Sequence, residues 1–226
     1  AVGRMSCNPA IGGVAKGQLV RELDVLSGLM GEAADASALQ YKMLNTSKGR
    51  SVWSPRAQID KRVYEKQISS TILNNKNITF LKGEVVSLTI KNNIVSGVVL
   101  RSGEQIKTKT VVLTCGTFLS GLIHIGERKI SAGRMGESNS EGITSFLSSI
   151  GLKTMRLKTG TPPRLLKSSI DWEQTKIDLG DKNPTPFSHF TNNFFPKNTP
   201  CHTVRTNKNC HEIINKNILR SPMYTG

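Results

Sequence analysis

One short run near the front constrains this chain more than any other: Met5-Ser6-Cys7-Asn8-Pro9-Ala10-Ile11-Gly12-Gly13-Val14-Ala15-Lys16-Gly17. It sets a thiol beside a proline-fixed turn and a glycine pair, then adds a lysine and another glycine. Pro9 holds its own φ and restricts Asn8, while Gly12 and Gly13 lack a Cβ and let a flat ligand approach the backbone. Beyond the turn, Leu19, Val20, Leu23, Leu26, Leu29 and Met30 recur at three- and four-residue spacings. That spacing predicts a helix over about residues 17–34. The N-terminal amides of such a helix attract phosphate or an anionic ring. A thiol, a bare backbone and an anion-attracting helix end so close together point to a cofactor site. The bland alternative is a Gly/Pro turn beside an ordinary buried cysteine.

Beyond that helix the pattern changes twice. Ile59, Val63, Ile68 and Ile72 predict a second helix from Arg56 to about Asn74. The period then shortens, and Ile78–Leu81, Glu84–Ile90, Ile94–Leu100 and Gln105–Lys109 read as strands, with Lys91-Asn92-Asn93 and Ser102-Gly103-Glu104 as turns. This is an antiparallel meander. The apolar run Thr110–Thr114, ending at Cys115-Gly116, suits a buried parallel strand whose C-terminal end faces a ligand crevice. Ser138 and Glu141 form a capping box ahead of Ile143, Phe146, Leu147 and Ile150, and Gly151 stands where that helix should stop. Lys153–Leu157 reads as a further strand, and Asn209 with Glu212 as a second cap. The expected division is 1–150 and 151–226, the second part an α/β domain cut short.

At 226 residues with 37% hydrophobic content the chain can bury a core, though aromatics are only 5%. No apolar run reaches the length of a membrane span, and no signal peptide precedes the first motif. The four cysteines, at 7, 115, 201 and 210, form no CxxC pair. Cys201-His202 and Cys210-His211 do not have common zinc-ligand spacing, so no metal is expected. Free thiols fit a reducing cytoplasm or an organelle matrix. Net charge is +15. Residues 151–226 hold 12 Lys and Arg against 5 Asp and Glu (+7), and residues 1–150 hold 19 against 11 (+8). The asymmetry favours a polyanionic partner, RNA first, near the C-terminal part. Abundant Lys and Asn throughout offer the competing account, a solvated surface.

Three further stretches join the cysteine run: Arg56-Ala57-Gln58, Val111-Val112-Leu113-Thr114-Cys115-Gly116-Thr117-Phe118, and Leu157-Lys158-Thr159-Gly160-Thr161-Pro162-Pro163-Arg164. In this order, with Ile123-His124-Ile125-Gly126, Gly133-Arg134-Met135-Gly136 and Ser221-Pro222-Met223-Tyr224, they closely resemble the MnmG (GidA) family along essentially the whole chain. The resemblance implies an α/β fold: an FAD-binding Rossmann-like domain of the glutathione-reductase-like class with its meander, plus part of an inserted α/β domain. It implies C5 modification of the tRNA wobble uridine, forming the carboxymethylaminomethyl group. FAD, NADH and methylenetetrahydrofolate are the implied cofactors and one-carbon donor. A GTPase partner subunit and a homodimer within a heterotetramer are implied as well. The family's GxGxxG turn and later segments are not matched, so the chain is expected to be a fragment that binds FAD weakly alone.

Carried over residue by residue, the resemblance makes Cys7 the catalytic thiol, as nucleophile on the uracil or as acid and base beside the flavin. A helix N-terminus and Lys16 nearby would raise its thiolate fraction. Asn8, Gly12, Gly13 and Lys16 are implied flavin-side contacts, Val85 a contact at the adenine end, and Ser140 another FAD contact. Without the resemblance, Val85 is an ordinary strand residue and Ser140 part of a helix cap. Lys158 and Arg164 bracket a stiff Gly/Pro turn, so Arg164 can grip tRNA backbone, folate glutamate or nicotinamide pyrophosphate. Their bland reading is a rigid linker with solvated charges. Arg56 belongs with them, and Arg50 and Arg134 are weaker candidates of the same kind. Cys115 is expected to be a packed thiol. The rivals are another FAD-dependent enzyme, such as a folate-dependent tRNA uridine methyltransferase or a dicarboxylate oxidoreductase, and a non-enzymatic RNA-binding fragment.

Overall fold

The computed structural model describes residues 2–5, 8–134 and 136–225. Contacts gather the chain into two compact units, Ala1–Thr79 with Thr161–Lys208, and Phe80–Gly160 with Asn209–Gly226. Each unit draws on two separate stretches, so a single cut at residue 151 does not describe them.

The first unit begins with β1 (Ala10–Gly12), α1 (Lys16–Val25), α2 (Met30–Ser37), β2 (Ala38–Leu44), β3 (Ser54–Ile59) and α3 (Lys61–Leu73). The strands form an antiparallel sheet in the order β1-β3-β2. Its core joins Ile11, Tyr41, Ala57 and Ile59 of the sheet to Val20, Ala33, Ala34 and Tyr64 of the helices, and to Phe187 from the later stretch. Phe194 meets the Tyr41 ring edge-on at 5.0 Å. Lys176–Asp178 and Cys201–Thr203 pair as a separate antiparallel ribbon in the same unit.

Two expectations fail here for identifiable reasons. The helix foreseen over 17–34 is broken after Val25. Ser27 takes a φ of 63° and donates to Asp24 O at 2.8 Å, and Gly28 donates to Leu23 O at 2.9 Å. That is a Schellman ending. The face α1 buries is Gly17, Val20 and Asp24, while Leu19 and Leu26 stay exposed. The helix foreseen from Arg56 starts five residues late, because Asp60 caps it: its carboxylate accepts from Arg62 N at 2.9 Å and Val63 N at 3.3 Å. Arg56-Ala57-Gln58 therefore lies in the central strand of the sheet.

The second unit holds the meander, β4 (Val85–Lys91), β5 (Ile94–Leu100) and β6 (Gln105–Lys107), followed by the hairpin β7 (Leu122–Ile125) and β8 (Arg128–Ser131). Asn92 and Asn93 both have positive φ, 50° and 61°, as the two-residue turn joining β4 to β5 requires. α4 (Ile143–Ser149) ends where Gly151 predicts, with Gly151 N on Ser148 O at 3.1 Å and Leu152 N on Leu147 O at 3.0 Å. Its N-cap is Gly142 with no side-chain bond, so Ser138 does not cap it. α5 (Lys208–Lys216) already contains Asn209, which is not its cap.

Ile78–Leu81, Thr110–Thr114 and Lys153–Leu157 form no strand. An apolar run becomes a strand only where a neighbour completes its backbone hydrogen bonds. None of the described strands does so for Thr110–Thr114, and Val112 is 85% exposed. The α/β class and the antiparallel meander are as expected. No described helix is long and apolar enough to cross a membrane.

Candidate functional site

Cys7, the thiol expected to carry the chemistry, lies outside the described residues. The turn that follows it is well defined. β1 ends at Gly12, which pairs across the sheet with Arg56. Gly13 N donates to Pro55 O at 2.8 Å, and Gly17 N donates to Gly13 O at 2.8 Å as α1 begins. Buried Ser54 also donates its hydroxyl to Gly13 O.

The two glycines turn out to do different things. A Cβ on Gly12 (φ 81°) would lie 2.2 Å from Pro55 O and 2.6 Å from Phe187 Cζ, so this residue is bare because the core presses on it. A Cβ on Gly13 (φ 95°) would meet only Arg56 Cδ, at 3.9 Å. Gly13 therefore has room for a Cβ, although the residue is itself buried and its amide is already committed to Pro55.

No side chain caps α1 at Ala15, so its first-turn amides, apart from Gly17 N, keep their capacity for an anion. Lys16 is exposed at the first helical position. The Arg56 guanidinium donates to Gln58 Oε1 at 3.2 Å. Asn8 is exposed and accepts from Ala10 N at 2.9 Å through its carbonyl. A glycine turn with no Cβ clash at Gly13, a helix start without a side-chain cap and two cations beside it fit the flat, anion-bearing ring implied by the resemblance.

Val85 and Ser140 belong to the second unit. Val85 opens β4 opposite Leu100 and is half-buried. Ser140 is stitched to the 118–120 segment, donating N–H to Phe118 O at 2.9 Å and accepting from Ser120 N at 2.8 Å. Its hydroxyl donates to Glu84 Oε1 at 3.2 Å, as does Glu141 N at 3.2 Å. Glu84, which sequence reasoning passed over, is therefore the anchor of this region. Arg101 grips it with two bonds, 2.6 and 2.8 Å. That pairing, aided by Glu141 N and Ser140, holds its carboxyl down at about 2 against an ordinary value of 4.5.

A lowered carboxylate pKa contributes stability above the unfolded value, and that contribution is lost as pH falls from about 4.5 through about 2. Glu84→Gln is accordingly expected to lose a modest stability contribution at pH 6–7, to change little near pH 2, and so to flatten the acid limb of unfolding free energy in that window. Urea titrations at pH 3 and pH 6 read the difference. An unchanged gap between them would contradict the assignment. The effect is modest, since Glu84 and Arg101 remain 32% and 54% exposed.

Of the cationic candidates, Lys158 donates its ammonium to Pro222 O. Arg164 is exposed, and so is Arg50, whose guanidinium lies 5.7 Å from the Trp53 ring centre. Arg134 sits 5.3 Å over the Phe118 ring and pairs with Glu137 at 3.1 Å. The structure thus joins Arg56 to the glycine turn, which its sequence position did not suggest. Cys115 is half-buried, and Cys201 and Cys210 are exposed. Among the described residues no His, Cys, Asp and Glu group could hold a metal.

Two carboxylates missed in the sequence organise the first unit. Asp35 accepts from Phe187 N (2.8 Å), Ser188 N (2.9 Å), Thr191 Oγ1 (2.6 Å) and Tyr41 Oη (2.5 Å). Burial, and then Asp35, push the Tyr41 phenol far up. Asp24, 1% exposed, accepts from His189 N at 2.8 Å. No local pattern marks either residue, because the backbone amides they hold lie more than 150 residues away in the chain.

A family model described as Glucose inhibited division protein A matches residues 1–226. The tRNA uridine 5-carboxymethylaminomethyl modification enzyme MnmG of Karelsulcia muelleri is 45% identical over 225 residues, covering 100% of this chain and 37% of that protein. The protein of the same name from Aquifex aeolicus is 46% identical over 232 residues, covering 100% of this chain and 38% of its own length. Aquifex aeolicus GidA in its form I crystal aligns with a TM-score of 0.92 at 45% identity, over 100% of this chain and 39% of that one. The form II crystal gives 0.88 at 46% identity, over 97% and 38%. The chain spans a little over a third of the length of the curated relatives it matches. Matched from end to end in sequence and almost so in backbone, it belongs to the glucose inhibited division protein A (GidA) family.

Proposed function

We propose that this chain is part of an FAD-dependent enzyme that modifies C5 of the tRNA wobble uridine, building its carboxymethylaminomethyl group. The observation that carries the reading is 45–46% identity, across the whole chain, to proteins named for that modification. In this reading the enzyme works with a GTPase partner subunit, as a homodimer within a heterotetramer, in a bacterial cytoplasm or an organelle matrix. It draws on NADH for electrons and on methylenetetrahydrofolate for the one-carbon unit. FAD, when bound, supplies the redox chemistry.

The chain's own residues then divide the work. The turn at Gly13, the uncapped start of α1, Lys16 and Asn8 hold the flavin side, with Gly12 shaping the turn from within. Val85 and Ser140 are read as further FAD contacts. Arg56, Lys158 and Arg164 hold phosphate or carboxylate of the substrates. Attaching carbon at C5 of uracil requires saturating the 5,6-double bond, and Cys7 either adds to C6 or moves a proton beside the flavin.

The test is nucleoside mass analysis of tRNA from cells whose full-length protein carries Cys7→Ser. The modified wobble nucleoside is expected to fall at least tenfold. Unchanged wobble nucleosides would remove Cys7 from the mechanism, and a loss confined to a T-loop methyl group would favour the methyltransferase rival.

A further inference from the structure

The segment 161–208 carries a feature that the glycine-turn site does not use. Lys167, Trp172, Pro200 and His202 line an open notch of about 480 Å3. Trp172 opens a one-turn helix, Trp172–Gln174, that Asp171 caps by accepting from Glu173 N at 3.2 Å, while Gln174 Nε2 donates to Asp171 at 2.8 Å. His202 stands in the ribbon opposite Ile177 and meets the indole edge-on, ring centres 4.7 Å apart. Thr175 Oγ1 donates to Trp172 O at 2.7 Å and lies 2.6 Å from His202 Nδ1. The Thr175 hydroxyl thus bridges the Trp172 carbonyl and the imidazole, tying the His202 ring to the turn that carries the indole.

The indole is nevertheless 40% exposed. The Cys201-His202 pair, which looks metal-like in the sequence, is explained by this role for the histidine.

The electrostatics give the occupant a sign. Lys167 has no carboxylate partner among the described residues, and Lys176 stands on the adjoining strand. Of the nearby carboxylates, Asp171 serves as a cap and Asp178 is paired with Lys42, which leaves Glu173. Pairing with Lys42 also lowers the Asp178 carboxyl, keeping that partnership ionised. A rigid aromatic face beside a free ammonium matches a stacked base joined to a phosphate. A dinucleotide cofactor calls for an enclosing pocket, whereas an open notch admits one residue of a continuing strand. The chain's net charge of +15 favours the polyanion again.

We propose that Trp172, His202 and Lys167 form a stacking notch for one unpaired nucleotide of the RNA substrate, the base against the indole and the phosphate at Lys167. This rests on the tRNA reading above. The test measures binding of an in vitro transcribed tRNA with a wobble uridine to the full-length protein across a salt series. Trp172→Ala is expected to weaken binding roughly tenfold, while Trp172→Phe stays within about threefold of the parent. Lys167→Ala is expected to reduce the log–log salt slope by about one. Bound FAD should be the same in all three variants, which separates a local contact from a folding defect.

Parent affinity and slope in both alanine variants would overturn the proposal. So would equal weakening towards a blunt RNA duplex, which offers no unstacked base. A raised KM for NADH with tRNA affinity intact would reassign the notch to a dinucleotide. A parent protein that binds no tRNA at any salt would instead sink the tRNA reading itself.

Discussion

Asp35→Ala is expected to destabilise the first unit by about 3–5 kcal/mol, because one carboxylate holds four donors from two distant stretches. Removing it leaves the Tyr41 hydroxyl, on a residue only 2% exposed, without its acceptor. The amides of Phe187 and Ser188 lose theirs as well. Asp35→Asn should fall between parent and alanine, since an amide keeps one acceptor oxygen but not the charge. Hydrogen exchange at Phe187 and Ser188 is the direct readout. Exchange in the alanine variant no faster than in the parent would show that apolar packing of Phe187, not the carboxylate, holds this stretch in place.

Gly12→Ala should be comparably damaging, at about 3–4 kcal/mol. Two effects add: the left-handed backbone at φ 81°, worth about 1–2 kcal/mol, and a Cβ forced to 2.2 Å from Pro55 O and 2.6 Å from Phe187 Cζ. The carbonyl belongs to the central strand of the sheet and cannot step aside by rotating a side chain. Gly13→Ala is the control. It carries the same kind of backbone strain but meets only Arg56 Cδ at 3.9 Å, so about 1–2 kcal/mol is expected. Urea midpoints of the two variants should therefore separate clearly. If they coincide, the core does not press on Gly12 as the geometry states. Gly13→Ala also adds a methyl to the turn, so a loss of FAD out of proportion to its stability change would mark the turn as the flavin side.

Much of the meander was readable because its signals are local. Asn92-Asn93 supplies positive φ at both turn positions, and Gly151 ends α4 where the apolar stripe stops. The family was readable too, from short runs in a fixed order. Arg56 was misplaced because Ile59 and Val63 happen to keep helical spacing across the Asp60 cap, a coincidence that periodicity alone cannot resolve.

Gly12 and Gly13 look equivalent in a sequence, yet a Cβ on one would strike Pro55 O and Phe187, while a Cβ on the other would meet only Arg56 Cδ at 3.9 Å. Only the strand register, with Gly12 opposite Arg56, separates them. Glu84 gave no signal because its partners Arg101, Ser140 and Glu141 come from two later segments. Thr110–Thr114 shows the limit of composition: apolar residues permit a buried strand, but hydrogen-bonding neighbours make one.

The chain crosses between its two units at residues 79/80, 160/161 and 208/209. On the ribosome, then, the first unit cannot close when its sheet has emerged. Asp35 waits for Phe187, 152 residues behind it, which at ordinary elongation rates is on the order of ten seconds. During that interval the nascent sheet lacks its Phe187 plug beside Gly12 and Tyr41, and that apolar surface is open to chaperones or to a second copy. Substitutions that slow docking of the 187–191 stretch should therefore lower soluble yield in cells more than they lower the equilibrium stability of protein that has already folded.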